Sequence, residues 1–196
     1  MRLFIAVNFP PSIRRALADL TAQLARAGLP VRWTPEESFH LTLRWLGDRD
    51  DEDRVVATAI VHEIAAEFEP FQDRFGPIGA FPSPRRPRVI WIAVEAGPRL
   101  RLVRDELERR LARDGFGRDE RSFRPHVTLG RAKRDARPGA FRSFAATSDG
   151  LGIDAPFPVS SIDVMRSHLE SGGARYERLA AVELGAAGLP DDETAA

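Results

Sequence analysis

Two of the four histidines in this 196-residue chain open the same pattern, histidine-apolar-threonine-apolar, as His40-Leu41-Thr42-Leu43 and as His126-Val127-Thr128-Leu129. An imidazole titrates near roughly 6.5, so two rings acting together can hold one proton at neutral pH, one taking a proton while the other gives one. Displacement at a phosphodiester phosphorus needs that division of labour. The nucleophile must lose a proton and the leaving oxygen must gain one, on opposite sides of an in-line phosphorus, while hydroxyls such as those of Thr42 and Thr128 hold the non-bridging oxygens. One His-x-Thr is an ordinary strand feature; its repetition carries the inference. The sequence has no cysteine, no His-x-His, no glutamate placed for a helical zinc motif, no P-loop and no serine-hydrolase elbow. The expected chemistry is therefore metal-independent and uses no cofactor. His62 falls beside the apolar stripe of a helix and His168 has no threonine partner, so neither is assigned a role.

Strands are the elements that can position such groups. Phe39 to Leu46 and Pro125 to Leu129 carry an apolar residue at every second place, as half-buried strands do. Alternate side chains leave a strand on opposite faces. His40 and Thr42 then share one face while Leu41 and Leu43 enter the core, and His126 and Thr128 are opposed to Val127 and Leu129 in the same way. The same alternation puts Trp45 with Leu41 and Leu43, as a packing residue. Each histidine strand follows a strand and a helix. Arg2 to Val7 and Arg88 to Val94 are apolar runs suited to buried strands. Pro10-Pro11-Ser12 opens a helix with Ile13, Leu17, Leu20 and Leu24 on one face, closed at Gly28. Pro98 opens one with Leu100, Val103, Leu107 and Leu111, closed at Gly115. From Ala6 to His40 and from Ala93 to His126 the spacing agrees to within one residue, so the chain reads as two copies of strand-helix-strand. Two lobes related by a pseudo-two-fold axis would bring the histidine strands face to face across a cleft. Other expected elements are a helix over Asp53 to Phe68 with Val56, Ile60, Ile64 and Phe68 in line, a strand over Phe71 to Phe81 and a loop at Pro82 to Pro87. Late strands at Phe157 to Leu169 and Ala174 to Leu184 are joined by a hairpin turn at Glu170 to Gly173.

Hydrophobic residues make up 43% of the chain, enough for one substantial core. No apolar run approaches a membrane span and the amino terminus has no signal-peptide plan, so the expectation is a cytoplasmic protein with no membrane association. The absence of cysteine suits a reducing compartment. Formal net charge is zero, with Lys133 the lone lysine among 29 basic residues. The charge is nevertheless polarised. From Arg118 to Arg142 there are eight basic residues against three acidic ones, around the second histidine motif, whereas Asp48, Asp50, Asp51, Glu52 and Asp53 form an acidic helix start. A basic rim beside a phosphate site would steer a polyanion such as RNA.

The two motifs, their spacing and the strand-helix-strand duplication make the chain resemble the 2H (two-histidine) phosphoesterase superfamily. Within it, the chain is most similar to the RNA 2′,3′-cyclic phosphodiesterase family, also called 2′-5′ RNA ligases. The similarity runs from Arg2 to about Leu184: the opening strand, Phe39 to Gly47, Arg88 to Ile92, Arg124-Pro125-His126-Val127-Thr128-Leu129-Gly130-Arg131, and a late strand pair around Ser167, Gly173 and Tyr176. It implies an α+β fold of two pseudo-two-fold-related lobes, each an antiparallel sheet with helices on its outer face and the active site in the cleft between. Residues 1–184 would be one bilobal domain and 185–196 a flexible tail. The implied activity is hydrolysis of RNA 2′,3′-cyclic phosphate ends to 2′-phosphate ends without metal, on RNA such as tRNA halves or on cyclic nucleotides, with 2′-5′ ligation as the reverse step, by a monomer. In that scheme His126 is the base on water, His40 the acid on O3′, and Arg131 contacts phosphate. Arg131 faces away from His126 in a straight strand, and Gly130 offers a bend or bulge that would turn it back. Tyr176 either packs beside the hairpin or reaches the cleft. The alternatives are a related phosphodiesterase acting on ADP-ribose cyclic phosphate or 2′-5′ oligoadenylate, and a non-catalytic RNA-end binding module.

Overall fold

A computed structural model of the chain describes residues 1–137, 139–170 and 173–185. The first strand, β1 (Arg2–Asn8), is apolar without alternation because both of its faces are covered. Leu3, Ile5 and Val7 join the main core with helix residues such as Leu17 and Ile64, whereas Phe4 and Ala6 form a small cluster with Met165 on the other face. Helix α1 (Pro11–Ala25) begins on Pro11 and buries Ile13, Leu17, Leu20 and Leu24. Helix α3 (Pro98–Arg113) begins on Pro98 and buries Leu100, Val103, Leu107 and Leu111. Each such side chain contributes about 1.5–3 kcal/mol on leaving water, so these stripes outweigh any exposed ion pair in docking the helices.

Between them lies α2 (Asp51–Glu67), capped by Asp50, whose carboxylate accepts from the Asp53 N–H at 2.8 Å. Its buried set is Ala57, Ile60, Val61, Ile64 and Ala65, while Val56 is 39% exposed, so the stripe predicted through Val56 and Phe68 is displaced by about one residue. The helix packs on α3 and on the sheet at once, which widens its buried face, and the alanines admit close approach.

The remaining elements are β2 (Val31–Trp33), β3 (His40–Asp48), β4 (Phe71–Phe81), β5 (Val89–Glu95), β6 (His126–Ala132), α4 (Phe144–Ser148), β7 (Phe157–Val159), β8 (Ser161–Glu170) and β9 (Gly173–Glu183). The strands run in the order β7-β4-β5-β6-β3-β1-β8-β9, with β2 added to β6, and every pairing is antiparallel. Between β3 and β6 the pairing is a single residue pair, Leu41 with Val127. The sheet therefore divides there into two antiparallel halves, the expected bilobal α+β arrangement, with the helices against the side that carries Leu41 and Val127. The opposite side is left open for the histidines.

Connectivity departs from two self-contained repeats. The strand that follows the first unit, β4, pairs with β5 of the second half, and β8, which follows the second unit, pairs with β1 of the first. This exchange also breaks the strand predicted as one piece from Phe157 to Leu169: β7 pairs with β4 in one half and β8 with β1 in the other, the chain crossing at Ser160. Short elements β2 and α4 had no periodicity long enough to announce them. Across the late hairpin Glu170 pairs with Gly173, while its turn residues and the tail beyond Gly185 lie outside the described residues. No helix among the described residues is long and apolar enough to cross a membrane.

Candidate active site

Antiparallel geometry around the Leu41–Val127 pair decides how the two motifs meet. His40 stands opposite Thr128 and Thr42 opposite His126, with all four side chains on the face away from the buried Leu41 and Val127. The histidines occupy one diagonal of this square and the threonines the other. Diagonal neighbours across such a ladder stand about 7–8 Å apart, their Cβ atoms somewhat closer, so both rings rise from one small patch of the sheet.

The two rings are held alike. His40 Nδ1 lies 2.8 Å from the carbonyl oxygen of Ser38, and His126 Nδ1 lies 2.7 Å from that of Arg124. A carbonyl can only accept, so each Nδ1 carries its hydrogen and each Nε2 is left as the basic nitrogen of the neutral ring. Aromatic side chains frame both. Phe4 and Tyr176 approach His40 at 5.0 and 4.7 Å between ring centroids, and Phe81 and Trp91 approach His126 at 5.3 and 6.2 Å. Tyr176 thus reaches the site. In each half one aromatic comes from the neighbouring strand (Phe4 on β1, Trp91 on β5) and one from the strand beyond the repeat. Beside His40, Asn8 donates to the fully buried Asp163 at 2.6 Å, which ties the end of β1 to β8.

Burial pushes the His40 imidazole down to about 4, against the Ser38 carbonyl, which pulls it up, and with further lowering from the positive ends of His126 and Arg131. The residue keeps some exposure to solvent along the cleft, but its ring lies deep between Phe4 and Tyr176. His126 is also lowered, first by burial and further by Arg131, with the Arg124 carbonyl opposing. Both shifts favour the neutral ring in the free protein.

An extra residue just past each His-x-Thr re-aims the side chains that follow it. Opposite β5, Trp91 pairs with Thr128 and Ile90 with Gly130, so Leu129 is a bulge and Arg131, paired with Val89, returns to the face of His126 and Thr128. Burial records the same reversal, with Leu129 and Gly130 both buried and Arg131 exposed. Opposite β1, Ala6 pairs with Thr42 and Ile5 with Arg44, so the first motif carries an equivalent bulge at Leu43. Trp45, expected on the core face, is instead 37% exposed on the histidine face and stacked on Phe4 at 5.6 Å. Arg44 turns inward in its place, only 6% exposed, and is held by Glu108 at 2.9 Å and by the carbonyls of Trp45 and Gly117. Position 45 of the first motif therefore corresponds to 131 of the second.

Gly130 is required at the bulge by space. A Cβ there would lie 2.6 Å from Val31 Cγ1, 2.9 Å from Trp33 Cε3 and 3.1 Å from the Arg32 carbonyl. Gly130→Ala is expected to lower stability by about 1–3 kcal/mol, because β2 must shift to admit the methyl group. Urea unfolding monitored by tryptophan fluorescence checks this; a midpoint equal to the wild type's would mean that the packing of β2 on β6 is loose.

Cavities flank β6 at both ends. Near its start a cavity of about 600 Å³ is lined by Phe81, Trp91, Phe123, Arg124 and His126 among others. Beyond its end lies a larger trough of about 1640 Å³ that includes Arg131. All five residues singled out in the sequence, His40, Thr42, His126, Thr128 and Arg131, are thus brought to one face, while His168 pairs with Glu177 at 2.7 Å and His62 lies at the edge of α2. Phe4, Phe81 and Trp91 escaped the sequence reading because unbroken apolar runs and turn-bounded strands do not mark which side meets a cleft.

A curled antiparallel sheet that sets two His-x-Thr-x strands side by side, with both rings tied at Nδ1 on one face, defines the class of two-histidine phosphoesterases. The profile of the 2′-5′ RNA ligase superfamily matches residues 9–170, and the chain belongs to that superfamily. It is 36% identical over 174 residues to an RNA 2′,3′-cyclic phosphodiesterase of Aeropyrum pernix, covering 88% of this chain and 97% of that protein. A protein of the same name from Thermus thermophilus is 33% identical over 187 residues, covering 90% and 86%. Among solved structures, TT0787 of Thermus thermophilus superposes with a TM-score of 0.77 at 28% identity, covering 94% of this chain and 98% of that one. Escherichia coli LigT complexed with 3′-AMP shares the fold, with a TM-score of 0.70 at 24% identity over 93% and 97% of the two chains.

Proposed function

We propose that this protein is a metal-independent RNA 2′,3′-cyclic phosphodiesterase, opening the cyclic phosphate at an RNA 3′ end to leave a 2′-phosphate. The observation that carries this reading is the diagonal pair of imidazoles with matching Nδ1–carbonyl bonds, which leaves a basic Nε2 on each of two neighbouring rings on one face of the sheet. Water attacks phosphorus as its proton passes to one Nε2; the P–O3′ bond breaks and the other ring, protonated, gives its proton to O3′. The family resemblance makes His126 the base and His40 the acid. Hydroxyls of Thr42 and Thr128 donate to the non-bridging oxygens, and the Arg131 guanidinium balances the charge that gathers on them. With a ribose 5′-hydroxyl in place of water the same steps form a 2′-5′ linkage, O5′ bonding to phosphorus as the P–O3′ bond breaks and O3′ takes the proton. We also take residues 1–184 as one bilobal unit, which the exchange of β4 and β8 favours, acting as a monomer in the cytoplasm on RNA ends such as those of tRNA halves.

An oligoribonucleotide with a 2′,3′-cyclic end, incubated with the protein in excess chelator, is expected to yield the 2′-phosphate product at the rate seen without chelator. A 3′-phosphate product would exchange the two histidine roles, and loss of turnover in chelator would refute the metal-independent mechanism. Turnover of ADP-ribose cyclic phosphate or of 2′-5′ oligoadenylate in preference to cyclic-ended RNA would reassign the substrate.

The acidity of the rings predicts the pH profile. Catalysis needs one ring protonated and one neutral, and in the free protein both rings lose their protons below the ordinary histidine range. The singly protonated form therefore peaks on the acid side of about 6.5, and kcat/KM for a cyclic nucleotide should fall about tenfold per pH unit above its higher pKa. A bound phosphate anion stabilises the imidazolium, so kcat should hold to higher pH than kcat/KM. Profiles of both between pH 4 and 9 check this; a kcat/KM that rises through pH 7 to an alkaline plateau contradicts it.

A further inference from the structure

On helices α2 and α3 arginines engage the acidic side chains around them. Glu63, Glu67 and Glu106 hold Arg110, Glu108 holds Arg44 and Arg104, and Asp51 holds Arg54. A different group of cations lines the trough of about 1640 Å³ beyond β6. Its walls are the loop between β4 and β5 and the segment that follows β6. Among the described residues fifteen line it, of which nine are arginine or lysine and none is acidic. Arg85, Arg86, Arg88, Lys133, Arg134 and Arg137 are all exposed along it. Pro82, Pro84 and Pro87 stiffen the first wall, so its arginines are presented at a reduced entropic cost.

The trough is continuous with the reacting site through Arg131, which lines it and whose charge reaches both His40 and His126. A cyclic phosphate is the last group of an RNA strand, so the rest of that strand leaves the site on its 5′ side. We propose that the trough holds this 5′ portion by its phosphates and makes the protein select cyclic-ended oligoribonucleotides over cyclic mononucleotides. This rests on the reading of the site as a cyclic-end phosphodiesterase. Arginine suits the task because its planar fork grips phosphate bidentately and its face stacks on bases. An acidic protein partner fits less well, since such interfaces centre on buried aromatic and aliphatic anchors, whereas this lining is largely cationic.

The test is a triple charge reversal, Arg85→Glu, Arg86→Glu and Arg134→Glu, at exposed positions outside the catalytic group. Kinetics are compared on 2′,3′-cyclic CMP and on a cyclic-ended decaribonucleotide. The wild type is expected to have the lower KM on the oligonucleotide. The variant should lose about tenfold or more in kcat/KM on it, through KM, while cyclic CMP turnover stays within about twofold. Between about 50 and 200 mM salt the slope of log KM against log salt should flatten by about 0.7 for each phosphate that the variant no longer neutralises. Unchanged oligonucleotide kinetics, or an equal loss on cyclic CMP, would overturn the proposal. So would displacement of a labelled decaribonucleotide by polyglutamate as effectively as by unlabelled RNA. If the wild type opens neither substrate, the cyclic-end reading is the one that fails, and binding of a plain 3′-hydroxyl decaribonucleotide to wild type and variant still decides whether the trough holds RNA.

Discussion

Replacing either His40 or His126 with alanine is expected to lower kcat on a 2′,3′-cyclic nucleotide by about 10²- to 10⁴-fold, the range of a lost general acid or base. The two losses should not add: once either ring is gone the proton relay is broken, and the double variant should fall little below the weaker single one. Structural damage is the confounding cause to separate. His40 is packed between Phe4 and Tyr176, so its alanine variant also leaves a gap in an aromatic cluster. His40→Gln fills much of that space without titrating. It should share the catalytic loss while melting closer to the wild type than His40→Ala. Retained turnover in either single alanine variant would end the two-histidine mechanism.

Arg131→Met is expected to lower kcat/KM by about 10²–10³-fold, comparable to removing a donor aimed at charge that develops in the transition state. Stability should stay within about 0.5 kcal/mol, because the side chain is exposed and methionine keeps its length. Arg32 lies directly across the β2–β6 pairing from Arg131 and strengthens the positive field there, so some phosphate attraction survives the change. Arg131→Lys should restore part of the activity, since a point charge returns without the fork. Steady-state kinetics with a thermal melt on each variant checks all three statements; a loss of less than threefold in the methionine variant would make Arg131 a bystander of the trough.

Much of this site was legible in the residues. The histidine-threonine alternation set both pairs on one face of their strands, and the matched spacing of helix and strand announced the duplication. Glycine at 130 offered a visible reason for Arg131 to turn back, and the register confirms a bulge there. The first motif gave no such warning. Leu43 and Arg44 look like ordinary strand residues, yet one residue of slippage against β1 sends Trp45 to the cleft and Arg44 to Glu108. A strand's face alternates with every residue, so a single extra residue inverts all side chains beyond it, and the count is set by a partner far away in the chain.

By itself, then, the sequence determined which groups can exchange protons, that they come in two equivalent copies, and which strands carry them, because each of these is a matter of local periodicity and residue chemistry. Only the tertiary structure decided that β4 and β8 change halves, that aromatics from distant strands enclose the rings and lower their proton affinity, and that arginines from two separated segments form one trough. Those outcomes depend on pairing and burial between segments remote in the chain, and no local pattern encodes them.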